Sequence, residues 1–168
     1  MIKICSLARL NDTVTGCGAR HVVTLVREEA RVFRPHGIDP ANHLWLQMDD
    51  IADTIDGMIP PGEAHVERLV EFAERWDRAT PLVVHCFAGI SRSTAAAFIA
   101  ACALMPNRDE EEVAIRIRNA SPTASPNPRL VALGDAYLGR DGRMTRAIER
   151  IGHGIAAYEG VPFDLPLE

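Results

Sequence analysis

One cysteine and one arginine in this chain share a setting in which both could do chemistry. In the stretch Leu82-Val83-Val84-His85-Cys86-Phe87-Ala88-Gly89-Ile90-Ser91-Arg92-Ser93-Thr94, Cys86 and Arg92 bracket five residues. A thiolate is a strong nucleophile, and a cysteine ringed by backbone N–H groups at a helix N-terminus gives up its proton readily. A guanidinium grips two oxygens of a phosphate in a fixed fork, which an ammonium cannot do. Gly89 allows a sharp turn with no Cβ in the way. Ser93 is spaced to donate its hydroxyl to the sulfur. The combined chemistry is attack by sulfur on a bound oxyanion. The same cysteine–arginine spacing recurs at Cys102 and Arg108, but there no His precedes it, no Gly lies inside it, and Pro106 interrupts it. Cys102 falls on an apolar helix, where a buried thiol is the plainer reading.

Such a loop needs a strand to deliver it and a helix to receive it. Leu82 to Val84 follow the Thr80-Pro81 break as a short buried strand. Ala95-Ala96-Ala97-Phe98-Ile99-Ala100-Ala101 has strong helix propensity. A loop held between the two aims backbone N–H groups and the positive end of the helix dipole at one point, which makes an anion site. Elsewhere, Ile2 to Leu7, His21 to Val26 and the alternating Asn42 to Met48 suit strands. Asn11-Asp12-Thr13 resembles a helix start, and Arg27 to Arg31 a solvated loop or helix end. Pro60-Pro61 is expected to open a helix whose stripe is Val66, Leu69, Val70, Ala73 and Trp76. A further amphipathic segment runs from Asp109 to Asn119, with Val113, Ile115 and Ile117 toward the core. Three prolines between Ala120 and Pro128 require an irregular loop. A last helix is expected over Met144 to Tyr158, and residues 158–168 are expected to form an extended tail.

Composition sets the outer limits. At 168 residues the chain fits one domain, residues 1–168, with a sizeable core. Its 47% hydrophobic and 24% charged residues suit an ordinary globular protein. A net charge of −5 argues against nucleic acid or an anionic membrane as the main partner. No apolar run approaches the ~20 residues of a membrane span, and the first residues are interrupted by charge too soon for a signal peptide. The four cysteines show no disulfide framework or zinc spacing. His21, His36, His43, His65 and His153 show no paired metal spacing either. The expected compartment is therefore the reducing cytoplasm, with no metal or organic cofactor.

His85-Cys86-Phe87-Ala88-Gly89-Ile90-Ser91-Arg92-Ser93 resembles the His-Cys-x-x-Gly-x-x-Arg-Ser/Thr signature of the cysteine-dependent protein tyrosine phosphatases. The Ala-Gly-Ile-Ser-Arg-Ser wording is most similar to the dual-specificity branch. Ser125-Pro126-Asn127, followed by Leu130, Leu133 and Tyr137, resembles that branch's Pro-Asn loop and the helix after it. The resemblance implies an α/β fold: a central, mostly parallel sheet of four to five strands flanked by helices. It implies Cys86 as nucleophile, Arg92 and the loop residues Phe87, Ala88, Gly89, Ile90 and Ser91 as phosphate binders, and Ser93 as donor to the sulfur. In the family the imidazole at His85 orders the loop and helps keep the sulfur ionised; it is not a base. The general acid of dual-specificity relatives ends a strand like Leu44 to Met48, which favours Asp50. Asp49, Asp53 and Asp56 stay open.

The implied activity is phosphomonoester hydrolysis through a cysteinyl-phosphate, on a phosphorylated protein or peptide with phosphotyrosine favoured. None of Phe87, Ala88, Ile90 and Ser91 is basic, which lowers the case for a polyphosphorylated lipid. The alternatives are a phosphatase of a lipid, nucleotide or sugar phosphate, a non-catalytic phosphate-binding relative, and a sulfurtransferase or arsenate reductase. Spacing leaves oligomeric state open, as it does pairing of Cys86 with Cys5, Cys17 or Cys102.

Overall fold

Four short segments pair side by side in parallel, and the apolar runs of three of them, rich in Val and Ile, reflect burial on both faces. They are β1 (Ile2–Ser6), β2 (His21–Thr24), β3 (His43–Trp45) and β4 (Leu82–Cys86). The computed structural model describes residues 1–168. Strand β4 lies at the centre, with β1 on one side and β2 on the other, and β3 continues beyond β2. In register, Ser6 stands opposite Cys86 and Thr24 opposite His85, so β1 ends level with Cys86 and β2 one residue before it. A fifth strand, β5 (Phe163–Leu165), runs antiparallel along the outer edge of β1.

Six helices cover the sheet: α1 (Leu10–Cys17), α2 (Glu63–Arg75), α3 (Arg92–Leu104), α4 (Glu110–Ala120), α5 (Pro128–Tyr137) and α6 (Arg143–Ile151). Helix α3 is the hub, buried without interruption from Ser93 to Cys102. Gly134 of α5 approaches it closely, since a Cβ there would fall 2.5 Å from Ile99 Cγ1. The stripe of α2 packs as expected, and Trp76 is buried with its indole N–H donating to the Thr80 carbonyl. Asp109 caps α4 by accepting from the backbone N–H groups of Glu111 and Glu112, ahead of three glutamates that suit the positive end of the dipole. No helix is long and apolar enough to cross a membrane.

The α/β architecture is as the sequence implies, and four local expectations are corrected. Helix α2 starts at Glu63 instead of at the prolines, because Pro61 lies outside it and Gly62 takes the cap, its N–H donating to Nδ1 of His65. Ile115 is 44% exposed: Val113 and Ile117 share one face, and a residue midway between them points away. Helix α6 ends at Ile151 and does not run to Tyr158, since Gly152 turns left-handed at φ 64°. Beyond it Gly154 presses on the Thr123 carbonyl, where a Cβ would sit 2.6 Å away. The extended C-terminal segment is no loose end, because Phe163 and Leu165 are buried in the sheet. Leu165→Ala is therefore expected to lower unfolding free energy by about 2–5 kcal/mol, the cost of a core truncation, read by urea denaturation; an unanchored tail would give no change.

Candidate active site

Strand β4 ends at Cys86 and helix α3 begins at Arg92, so residues 87–91 form the tight connection between them. The Cys86 side chain is buried at the base of this loop. Its Sγ lies 3.1 Å from Ser93 Oγ and accepts from the Gly89 N–H at 3.3 Å. Gly89 carries φ 74°, and a Cβ there would meet the backbone of Ser6 and Cys5 at 2.7–3.0 Å. Both its conformation and its surroundings require glycine. Leu7 N–H donates to the Phe87 carbonyl at 3.1 Å, which adds a second tie between the loop and the end of β1. Thr94 donates its hydroxyl to the Ile90 and Ser91 carbonyls, pinning the other limb of the loop to the first turn of α3.

His85 lies behind the loop, fully buried, with Nδ1 3.3 Å from the Cys86 carbonyl. A carbonyl only accepts, so this nitrogen carries the proton and Nε2 of the neutral ring is an acceptor. Thr24 Oγ1 lies 2.7 Å from that Nε2 and 2.7 Å from Nε2 of His43. One hydroxyl has one proton to give, so Thr24 donates to His85 and accepts from His43. Burial is the main cause that lowers the His85 pKa to about 4; its contact with the Cys86 carbonyl opposes the shift, and the proximity of His43 and of the Arg92 guanidinium adds to it. The ring is thus a neutral strut that fixes the strand end.

Arg92 reaches over the loop and donates from Nη1 to the Met48 carbonyl at 2.9 Å, while its Nε is buried without a protein partner. This contact ties the arginine to the chain just before the acidic loop. There the candidate acids separate. Asp50 is exposed, accepts from Ser91 Oγ at 2.7 Å and from Asn127 Nδ2 at 2.9 Å, and so stands over the loop. Asp49 faces the other way, accepting from the Ile59 N–H at 2.7 Å and pairing with Arg27, and serves to fold its own loop. Asp53 and Asp56 are exposed and make no hydrogen bond to the phosphate-loop residues. Asn127 does more than its sequence context suggested: it also caps α5 through Leu130 N–H and holds the Ile51 carbonyl. Of the proposed binders, Phe87 stands 66% exposed at the rim.

The other cysteines are unpaired, and burial pushes the Cys5 and Cys102 thiols up to about 12. Sequence reasoning missed a brace on the back of the loop. Gly160 donates its N–H to the Ala88 carbonyl at 2.9 Å, Ser125 N–H donates to the Ile90 carbonyl, and Ser6 donates its hydroxyl to Glu159 at 2.5 Å. A Cβ on Gly160 would sit 3.0 Å from the Gly89 carbonyl, so this approach too is made by glycine. Two glycines touching across more than seventy residues leave no signal in a single sequence.

With the geometry in place, likenesses to known proteins can be weighed. The protein-tyrosine phosphatase family model matches residues 54–121, which contain Cys86 and Arg92 but neither Asp50 nor Asn127. A mouse putative dual specificity phosphatase solved with zinc tungstate superposes with a TM-score of 0.61 at 18% identity, over 85% of this chain and 84% of its own. Human DUSP28 gives 0.61 at 20% identity, covering 82% and 87%. PTPMT1 gives 0.60 at 20% identity, covering 87% and 93%. These likenesses establish a shared fold. No curated protein sequence matches the chain.

The depressed His85 pKa carries a stability signature. The unfolded ring takes up a proton near its ordinary pKa, whereas the folded ring resists until about 4, so the unfolded state binds more protons in between. The stability from the neutral ring is complete above about pH 6.5 and is lost as pH falls toward 4. His85→Asn, which removes the titration, is expected to lose about 3 kcal/mol less than wild type over that interval. Urea unfolding of both proteins at the two ends of the window measures the difference, and equal losses would show that His85 does not titrate there.

Proposed function

We propose that this chain, a protein-tyrosine-phosphatase-like hydrolase of the cysteine-dependent superfamily and similar to its dual-specificity branch, hydrolyses phosphomonoesters through a cysteinyl-phosphate, with a phosphotyrosyl protein or peptide as substrate. The observation that carries this reading is the hydrogen bond from Ser91, inside the loop opened by Cys86, to the carboxylate of Asp50. It joins a carboxylic acid from a separate loop to the mouth of the anion cradle.

In the first step the Cys86 sulfur attacks phosphorus, and the bond from phosphorus to the ester oxygen breaks. That bond's electron pair leaves with the oxygen, which takes the proton of Asp50. Arg92, freed from the Met48 carbonyl, is the fork for two equatorial phosphate oxygens. The loop N–H groups and the start of α3 hold the others, so most of the rate gain comes from positioned donors. In the second step water attacks phosphorus while Asp50 takes its proton, the P–S bond breaks, and the sulfur regains its electron pair. The Ser93 hydroxyl, 3.1 Å from Sγ, stabilises the departing thiolate.

PTPMT1, one of the structures with this fold, has been solved in complex with PI(5)P, so a phosphoinositide is the second reading. The absence of any basic side chain among Phe87, Ala88, Ile90 and Ser91 favours the protein substrate. Hydrolysis of para-nitrophenyl phosphate without added metal, then of phosphotyrosyl peptide and phosphoinositide, separates these. Cys86→Ser is expected to lose turnover entirely yet still bind vanadate. Asp50→Asn is expected to lose about 10²–10⁴-fold in kcat with the alkaline limb of the pH profile flattened. Normal turnover by Cys86→Ser would end the proposal, and an unchanged Asp50→Asn profile would move the acid to a different carboxylate.

A further inference from the structure

The donors of an anion cradle act only if their N–H bonds point inward. In a trans peptide the C=O of one residue and the N–H of the next share a plane and point opposite ways. A partner that holds a carbonyl behind the loop therefore aims the following N–H toward the front. Three separate segments supply such partners here. Leu7 N–H holds the Phe87 carbonyl at 3.1 Å, Gly160 N–H the Ala88 carbonyl at 2.9 Å, and Ser125 N–H the Ile90 carbonyl at 3.0 Å. The N–H groups that these ties direct belong to Ala88, Gly89 and Ser91.

The tie from Gly160 carries the largest share of that work. Turning the Ala88–Gly89 peptide over changes ψ of Ala88 and φ of Gly89. Gly89 stands at φ 74°, and glycine takes positive and negative φ about equally readily. The residue that permits the turn thus gives no preference for the orientation that aims its N–H at Sγ. In front, that N–H meets the Cys86 sulfur at 3.3 Å. Behind, the Ala88 carbonyl accepts from Gly160 alone. Turned over, the peptide would present a carbonyl oxygen to the sulfur and to a bound anion in place of a donor.

Gly160 is itself fixed on both sides. Glu159 before it accepts from the Ser6 hydroxyl at 2.5 Å, and β5 after it pairs with β1. Earlier in the same segment, Gly154 N–H donates to Ser125 Oγ at 2.9 Å, on the residue that holds the Ile90 carbonyl. The stretch from Gly154 to Gly160 thus supports both limbs of the loop.

We propose that Gly160 is a positioning residue for phosphoryl transfer. Its N–H holds the Ala88 carbonyl behind the loop and so keeps the Gly89 N–H facing the sulfur and the phosphate. This role rests on the phosphatase reading of the loop.

The test removes that N–H at nearly unchanged shape, by replacing Gly160 with glycolic acid, whose ester oxygen takes the place of the N–H. Gly160→Pro also lacks the N–H and is the genetically encoded counterpart. Val66→Ala, a truncation at a fully buried position of α2, is the control for lost stability alone. Each change is measured for orthovanadate Kd in the Cys86→Ser background, and for turnover of para-nitrophenyl phosphate and urea unfolding with Cys86 present. The ester is expected to weaken vanadate about fivefold, the size of one hydrogen bond. It should lower kcat about tenfold, less than the roughly 10²–10³-fold cost of deleting an oxyanion donor outright, because the peptide still visits the donor orientation. The alkaline limb of the pH profile, which Asp50 sets, should stay in place. Val66→Ala should lose stability and keep both Kd and kcat. An ester variant that matches wild type in Kd and kcat, or that loses kcat only through a moved alkaline limb, overturns the role of Gly160 alone. Equal losses of Kd and kcat in Val66→Ala do the same. A folded wild type without turnover, whose Cys86→Ser form does not bind vanadate, overturns the phosphatase reading and this role with it.

Discussion

Close contact between a left-handed glycine and the end of a parallel strand shapes the reactive part of this protein. Gly89 turns its N–H onto the Cys86 sulfur only because its backbone lies against Cys5 and Ser6 with no room for a side chain. Move the end of β1 outward and the N–H leaves the sulfur. Shift the glycine and the loop no longer reaches α3 with Arg92 in its first turn. The parallel register of β1 with β4, which sets Ser6 opposite Cys86, is therefore as much a part of the site as the cysteine.

Around that contact the protein uses groups of two kinds. Behind the loop, His43, Thr24 and His85 form a buried polar line in which each hydrogen bond fixes the direction of the next. Burial favours neutral imidazole at both histidines, which makes the line a rigid strut. In front of the loop the contacts are more exposed. Asp50 is held by one hydroxyl and one amide, and Arg92 by one backbone carbonyl. These contacts can be exchanged without disturbing the core. Under the proposed function, rigid support on one side and exchangeable contacts on the other suit a loop that binds and releases an anion.

Much of this was legible in the sequence because it was local. Strand, loop and helix around Cys86 are contiguous, so the order of residue types carried the fold of that unit. The α/β architecture was implied by the family resemblance that the Cys86 loop carries, and the apolar strands and amphipathic stretches of the sequence agree with it. Choosing among four aspartates was harder, since Asp49 and Asp50 are neighbours that face opposite ways, one toward Arg27 and one toward Ser91. Spacing alone does not decide which way a loop residue points. The His43–Thr24–His85 line and the Gly160 contact join distant segments, and neither has a periodicity or composition to mark it. The last helix is shorter than the expected Met144 to Tyr158 because Gly152 turns the chain and Gly154 packs against the Thr123 carbonyl.

Strand β5 and the brace before it also bear on the order in which the protein is made. A ribosome releases β1, the cysteine loop and α3 well before it releases Glu159, Gly160 and the edge strand. Ser6 and Glu159 are 153 residues apart in the chain, so this closure joins widely separated segments. Contacts of such long separation form late, after the entropy of bringing distant segments together has been overcome. During synthesis the growing chain thus carries its thiol in a cradle with one wall missing until Glu159, Gly160 and β5 have emerged to set that wall in place.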